Sequence, residues 1–152
     1  MDALVLIATI PVFISLYGIV KKQRFFFLLG YFLFSFLVIP DEISRYMDSP
    51  DISHILFATV FGLQAILTFP NKLNYDGTKV FKSFGIKTML SLFLINMIAV
   101  LLINLHPESL VDDVQNNGQT LNIAMIIHGV FALIPLVACY LMLSNKMEVK
   151  SN

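Results

Sequence analysis

Chemistry inside an apolar helix needs a polar side chain, and few in this chain stand there. Gln64 lies within ISHILFATVFGLQAILTFP, Asn96 within MLSLFLINMIAVLLINL and His128 within LNIAMIIHGVFALIPLV. A polar group in hydrocarbon is costly unless it is bonded, so each of these three needs a partner. Either they are glue between helices, or they floor a pocket. At 1.5 Å of rise per residue, Gln64 and Asn96 fall near mid-membrane and His128 about 10 Å below the outer boundary, depths that allow contact. His128 shares a stripe with Ala124, Ala132, Pro135 and Cys139, which turns it toward neighbouring helices. A second small-residue seam, Ala58, Gly62 and Ala65, carries His54 one turn further out. His54, Gln64, Asn96 and His128 are therefore the candidate ligand-binding residues. They form the polar floor of an outward-facing pocket for a lipid, a quinone or another apolar molecule.

Three histidines also raise metal or haem chemistry. His54, His106 and His128 all fall in the outer half, on the same side as Asp41 and Glu42. A b-type haem needs two imidazoles at matching depth on facing helices, and His54 and His106 match only near the water interface. There is no HxxxH, HExxH or CxxC, so no metal ligand and no cofactor is assigned. The single cysteine, Cys139, sits in an apolar run, excludes an internal disulfide framework and reads as a small buried hydrophobe. Asp41 and Glu42 diverge by about 100° on a helix and are poorly placed to share a proton. Glu42 and Arg45, three apart, are placed to pair on a terminal turn. No catalytic residue is assigned. Neither a glycine-rich phosphate loop nor a nucleic-acid signature is present, and the short basic clusters suit anionic headgroups.

The elements that must position these residues are membrane helices. The 152 residues are 57% hydrophobic and 13% charged, about half the charge of a typical soluble domain, which places the chain in the membrane class. Five helices are expected, at about 3–20, 25–40, 50–69, 88–105 and 120–143, forming a single integral membrane domain over 1–152. No basic segment precedes the first helix and no small-residue cleavage site follows it, so it reads as retained. The second carries seven aromatics, Phe25, Phe26, Phe27, Tyr31, Phe32, Phe34 and Phe36, on all sides, which reads as lipid-facing and interfacial rings. Pro40 ends it, and Asp41 to Asp51 makes an acidic turn. Ser49 caps the third helix with Pro50 in its first turn. Asn74 to Gly77 is a turn, and TKVFKSFGIK is an amphipathic piece for the headgroup region, with Val80, Phe81 and Phe84 on one face. Pro11 and Pro135 are expected kinks.

Charge gives the orientation. Lys21, Lys22, Arg24, Lys72, Lys79, Lys82, Lys87, Lys146 and Lys150 fall on one side of such a bundle, and only Arg45 on the other. Nine against one places the N-terminus outside and the C-terminus in the cytoplasm. The expected architecture is an all-α, multi-pass membrane helix bundle of five transmembrane helices. Phenylalanine- and isoleucine-rich composition, short loops and no tryptophan suit a bacterial inner (plasma) membrane. The leading functional expectation is non-enzymatic: an accessory subunit, or a binder of an apolar molecule. Its partners are then the lipid bilayer, an apolar ligand, a membrane protein or further copies of itself, and no nucleic acid. The competing classes are a haem- or metal-dependent redox protein or enzyme using the outer histidines, and an oligomeric small-solute transporter hinged at Pro11 and Pro135.

Overall fold

A computed structural model describes residues 3–70, 79–109 and 118–144, with side chains for 7–70, 85–108 and 118–144. These residues are helical throughout apart from short connections. The helices are α1 (Ala3–Val20), α2 (Arg24–Asp48), α3 (Ile52–Thr68), α4 (Lys79–Leu105) and α5 (Gly118–Leu143), with a single 3-10 turn, Pro107–Ser109, after α4. Three of them, α2, α4 over Gly85–Leu105, and α5, are long and apolar enough to cross a membrane. The 17 and 18 residues of α3 and α1 rise about 26 Å, close to one hydrocarbon thickness. The expected turn at Asn74–Gly77, the acidic residues Asp112 and Asp113, the tail lysines Lys146 and Lys150, and the apolar face of Val80, Phe81 and Phe84 lie outside the described residues or side chains.

Each helix packs on its neighbour in sequence, and α1 also packs on α5, so the five close into a ring. The centre is aromatic. Phe27, Tyr31 and Phe34 are buried, as are Phe57 and Phe61 of α3 and Phe131 of α5. Tyr31 and Phe34 both stack on Phe131, with ring centroids 4.5 and 4.8 Å apart. This corrects the reading of the aromatic run as lipid-facing rings. Phe27, Tyr31 and Phe34 recur at spacings of four and three, one helical face, and it is that face which turns inward. Phe26 and Phe36 remain exposed. Large apolar residues cover the outside, among them Phe13, Phe36, Ile66, Leu94, Leu101 and Ile126. A surface this apolar suits hydrocarbon and not water.

Several boundaries differ from expectation. Helix α2 does not end at Pro40 but runs through it to Asp48. A proline removes one amide donor and crowds the preceding turn, yet the bonds beyond it can resume, and here they do. The acidic turn therefore shrinks to Ser49, Pro50 and Asp51. The cap of α3 is Asp51, not Ser49: its carboxylate accepts the Ser53 N–H at 2.9 Å. The lysine-rich amphipathic piece is helical from Lys79, but it is continuous with α4 and has no break at Thr88.

Close helix contact occurs at glycines other than those of the expected seam. A Cβ on Gly30 of α2 would stand 2.5 Å from the Pro11 carbonyl oxygen and 2.6 Å from Ser15 Oγ of α1. On Gly62 of α3 it would meet nothing within 4 Å. The buried face of α3 is Ser53, His54, Phe57, Phe61, Gln64 and Thr68, adjacent to the Ala58, Gly62 and Ala65 seam. By contrast the Ala124, His128, Ala132, Pro135 and Cys139 stripe of α5 is buried as its spacing implies.

Between α1 and α2 the chain reverses in three residues. The N–H of Gln23 donates to the Gly18 carbonyl at 2.8 Å and that of Lys22 to Ile19 at 3.0 Å, with Lys22 at φ 55°. This is the Schellman arrangement, with lysine where glycine is the usual occupant.

Candidate functional site

Three of the four expected site residues are joined. Gln64 Nε2 on α3 donates to Ser35 Oγ at 3.1 Å and to the Tyr31 carbonyl at 3.3 Å, both on α2. Its Oε1 accepts from Asn96 Nδ2 of α4 at 2.9 Å. The same Nδ2 also donates to the Leu92 carbonyl at 2.9 Å. That leaves Asn96 Oδ1, which lies 3.3 Å from His128 Nδ1 of α5. The relay thus links α2, α3, α4 and α5 through side chains, and Gln64 and Asn96 are wholly buried.

The relay determines the imidazole tautomer. Asn96 Oδ1 can only accept, so His128 Nδ1 must carry the proton. A neutral ring protonated at Nδ1 has a lone pair at Nε2. The ring is wedged between Phe34 and Phe61, with centroids 5.2 and 5.4 Å away, which holds its plane.

His54 does not join this relay. Its Nδ1 lies 2.8 Å from Glu42 Oε2, both side chains being nearly sealed from solvent. The expected pairing of Glu42 with Arg45 is corrected: Arg45 Nε binds Asp41 at 3.0 Å, four residues back, and Glu42 turns inward. Asp41 and Glu42 are consecutive on the helix and diverge by about 100°, so one faces the rim and the other the core.

The two polar groups meet across a cleft. A cavity of about 70 Å³ is lined by Phe34, Val38, Phe57, Phe61, Ala124 and Ile127, with Asp41 and Glu42 on one side and His128 on the other. Of the four expected site residues only His128 lines it. Gln64 and Asn96 stand behind His128, and His54 holds Glu42. Glu42, which sequence reasoning placed in a terminal turn, is the residue it missed. The signal was available in its spacing, since position 42 continues the inward face of Phe27, Tyr31, Phe34 and Ser35 if the helix is carried through Pro40.

The histidines are held on separate partners: His54 on Glu42, His128 on Asn96, and His106 at 3.3 Å from Glu108. No group of three or more His, Cys, Asp or Glu able to hold a metal occurs among the described residues.

Fold and site together define an all-helical bundle, three of whose helices are long and apolar enough to cross a membrane, with a buried amide–imidazole relay at its centre. No family model matches this chain, and no curated protein or solved structure is significantly similar to it.

Proposed function

We propose that this is a five-span integral membrane protein, one domain throughout, that binds the polar end of an apolar molecule in the cleft between Glu42 and His128. The N-terminus is outside and the C-terminus cytoplasmic, as the distribution of nine basic residues against one supports. The protein acts as a binder or accessory subunit, with no catalytic step. The observation that carries the reading is the fixed orientation of His128. Its proton is committed to Asn96, and its ring sits in an aromatic-walled cleft.

The cleft selects by polarity and size. His128 Nε2 and the Glu42 carboxylate are both acceptors, so the matching ligand brings a donor, such as the hydroxyl of a quinol or a lipid alcohol. The cavity of about 70 Å³ receives the hydroxyl-bearing end of such a molecule, and the apolar remainder lies along the bundle within the bilayer.

Native mass spectrometry of protein extracted in mild detergent from its own membrane tests this. The expected spectrum shows a stoichiometric adduct of mass matching an apolar alcohol or quinol. His128→Phe keeps a ring between Phe34 and Phe61 but removes the acceptor; it loses that adduct, and the unpaired Asn96 Oδ1 costs about 1–3 kcal/mol without unfolding the helices, as circular dichroism should show. An adduct retained in His128→Phe, or a bare chain from the native membrane, sinks the reading.

A further inference from the structure

We infer a second site, independent of the first, in the groove at the opposite, basic end of the bundle: it takes a glycerophospholipid whose anionic headgroup also carries a hydroxyl. The groove runs between the α1–α2 turn and helices α3, α4 and α5. Ile19, Leu28, Leu67, Met89, Ala138 and Met142 line its walls, and Lys22, Gln23 and Arg24 line its head.

Three observations converge there. First, Gln23 Oε1 is buried and has no hydrogen-bond partner among the described residues. An amide oxygen in that state calls for a donor from outside the chain. Second, two cations stand beside it, where a phosphate leaves a bilayer and enters the headgroup layer. Third, a cavity of about 40 Å³ is lined by Gln23 and by the apolar walls together. It admits a hydroxyl beside Gln23 while the rest of the molecule lies along the apolar walls as an acyl chain. A phosphate for the cations, a hydroxyl for Gln23 and a chain for the walls describe a lipid such as phosphatidylglycerol.

The turn that presents these groups is rigid. Backbone bonds to Gly18 and Ile19 fix Gln23 and Lys22, and Gly18 packs so closely on α2 that an added Cβ would overlap the Phe27 backbone. The site is therefore built before the lipid arrives.

The test is a lipid titration of the purified full chain followed by native mass spectrometry. Four probes are used: phosphatidylglycerol, phosphatidylcholine, phosphatidylethanol (the same charge, no hydroxyl) and soluble glycerol 1-phosphate. Phosphatidylglycerol is expected to bind at one per chain, at least about fivefold tighter than phosphatidylcholine. Phosphatidylethanol is expected to be weaker than phosphatidylglycerol by a similar factor. Gln23→Leu keeps the turn's backbone bond and should erase the preference for the hydroxyl. Lys22→Gly removes a charge at a left-handed position that glycine favours, so it preserves folding while weakening phosphatidylglycerol about fivefold. Equal binding of phosphatidylglycerol and phosphatidylcholine overturns the proposal, as does a hydroxyl preference that survives Gln23→Leu. Displacement of the lipid by glycerol 1-phosphate alone also overturns it, in favour of a free-phosphate site.

Discussion

Glu42 and His54 lie 2.8 Å apart with side chains 5% and 7% exposed, a pair that neither helix can surrender singly. Glu42→Leu alone leaves a buried imidazole without its acceptor and should cost about 1–3 kcal/mol. The joint change Glu42→Leu with His54→Phe removes both polar groups and is expected to be neutral or stabilising. A double-mutant cycle on denaturant unfolding in micelles checks this; additive losses would show that the pair is not coupled. Asp51 behaves differently because it is only partly buried. The N–H and hydroxyl of Ser53 bond its carboxylate and hold it below the usual aspartate range. A carboxyl lowered on folding stabilises the protein above its unfolded value and loses that contribution as pH falls through the folded one. The helix α3 cap is thus complete at neutral pH and weakens in acid below about pH 4. Thermal unfolding followed by circular dichroism should show acid sensitivity that Asp51→Asn reduces.

Helix contacts decide the next scale. Gly30 faces Pro11 and Ser15 across the α1–α2 interface, and Ser15 Oγ itself donates to the Phe27 carbonyl at 2.7 Å. Gly30→Ala should therefore cost about 1–3 kcal/mol by overpacking, while Gly62→Ala, which meets nothing, should leave stability unchanged or slightly raised. Unfolding midpoints of the two variants separate these outcomes. The same contrast shows what was legible in the sequence. Gln64, Asn96 and His128 could be found because polar groups in hydrocarbon must bond, and their depths matched. The α5 stripe could be found because small residues at spacings of three and four mark a packed face. The α3 seam looked identical on paper, yet Phe57 and Phe61 beside it fill the core instead. A stripe of small residues shows where helices can approach, and the volume of the competing face decides whether they do. Pro40 hid the rest. Taken as a stop, it put Glu42 into a loop and left His54 without its partner.

On the scale of the whole molecule, an aromatic core is wrapped by an apolar exterior among the described residues. The five-span reading makes a direct forecast for a chain whose single cysteine, Cys139, is buried. In a Cys139→Ala background, Met47→Cys at the α2–α3 end should react with a membrane-impermeant maleimide on intact cells. Lys21→Cys at the α1–α2 turn should react only after permeabilisation. Labelling of both from the same side would mean that α2 does not cross, and the topology would fail.

The ring of helices closes only when α5 docks. Until then Asn96 Oδ1 lacks the His128 proton, and the Tyr31 hydroxyl lacks the Phe131 carbonyl to which it donates. On the five-span reading, a bundle in which α1 to α4 have packed ahead of α5 holds both groups bare at its centre, which is costly in hydrocarbon. Docking of α5 satisfies both at once, so the closing of the ring and the satisfaction of its buried polar atoms are one event.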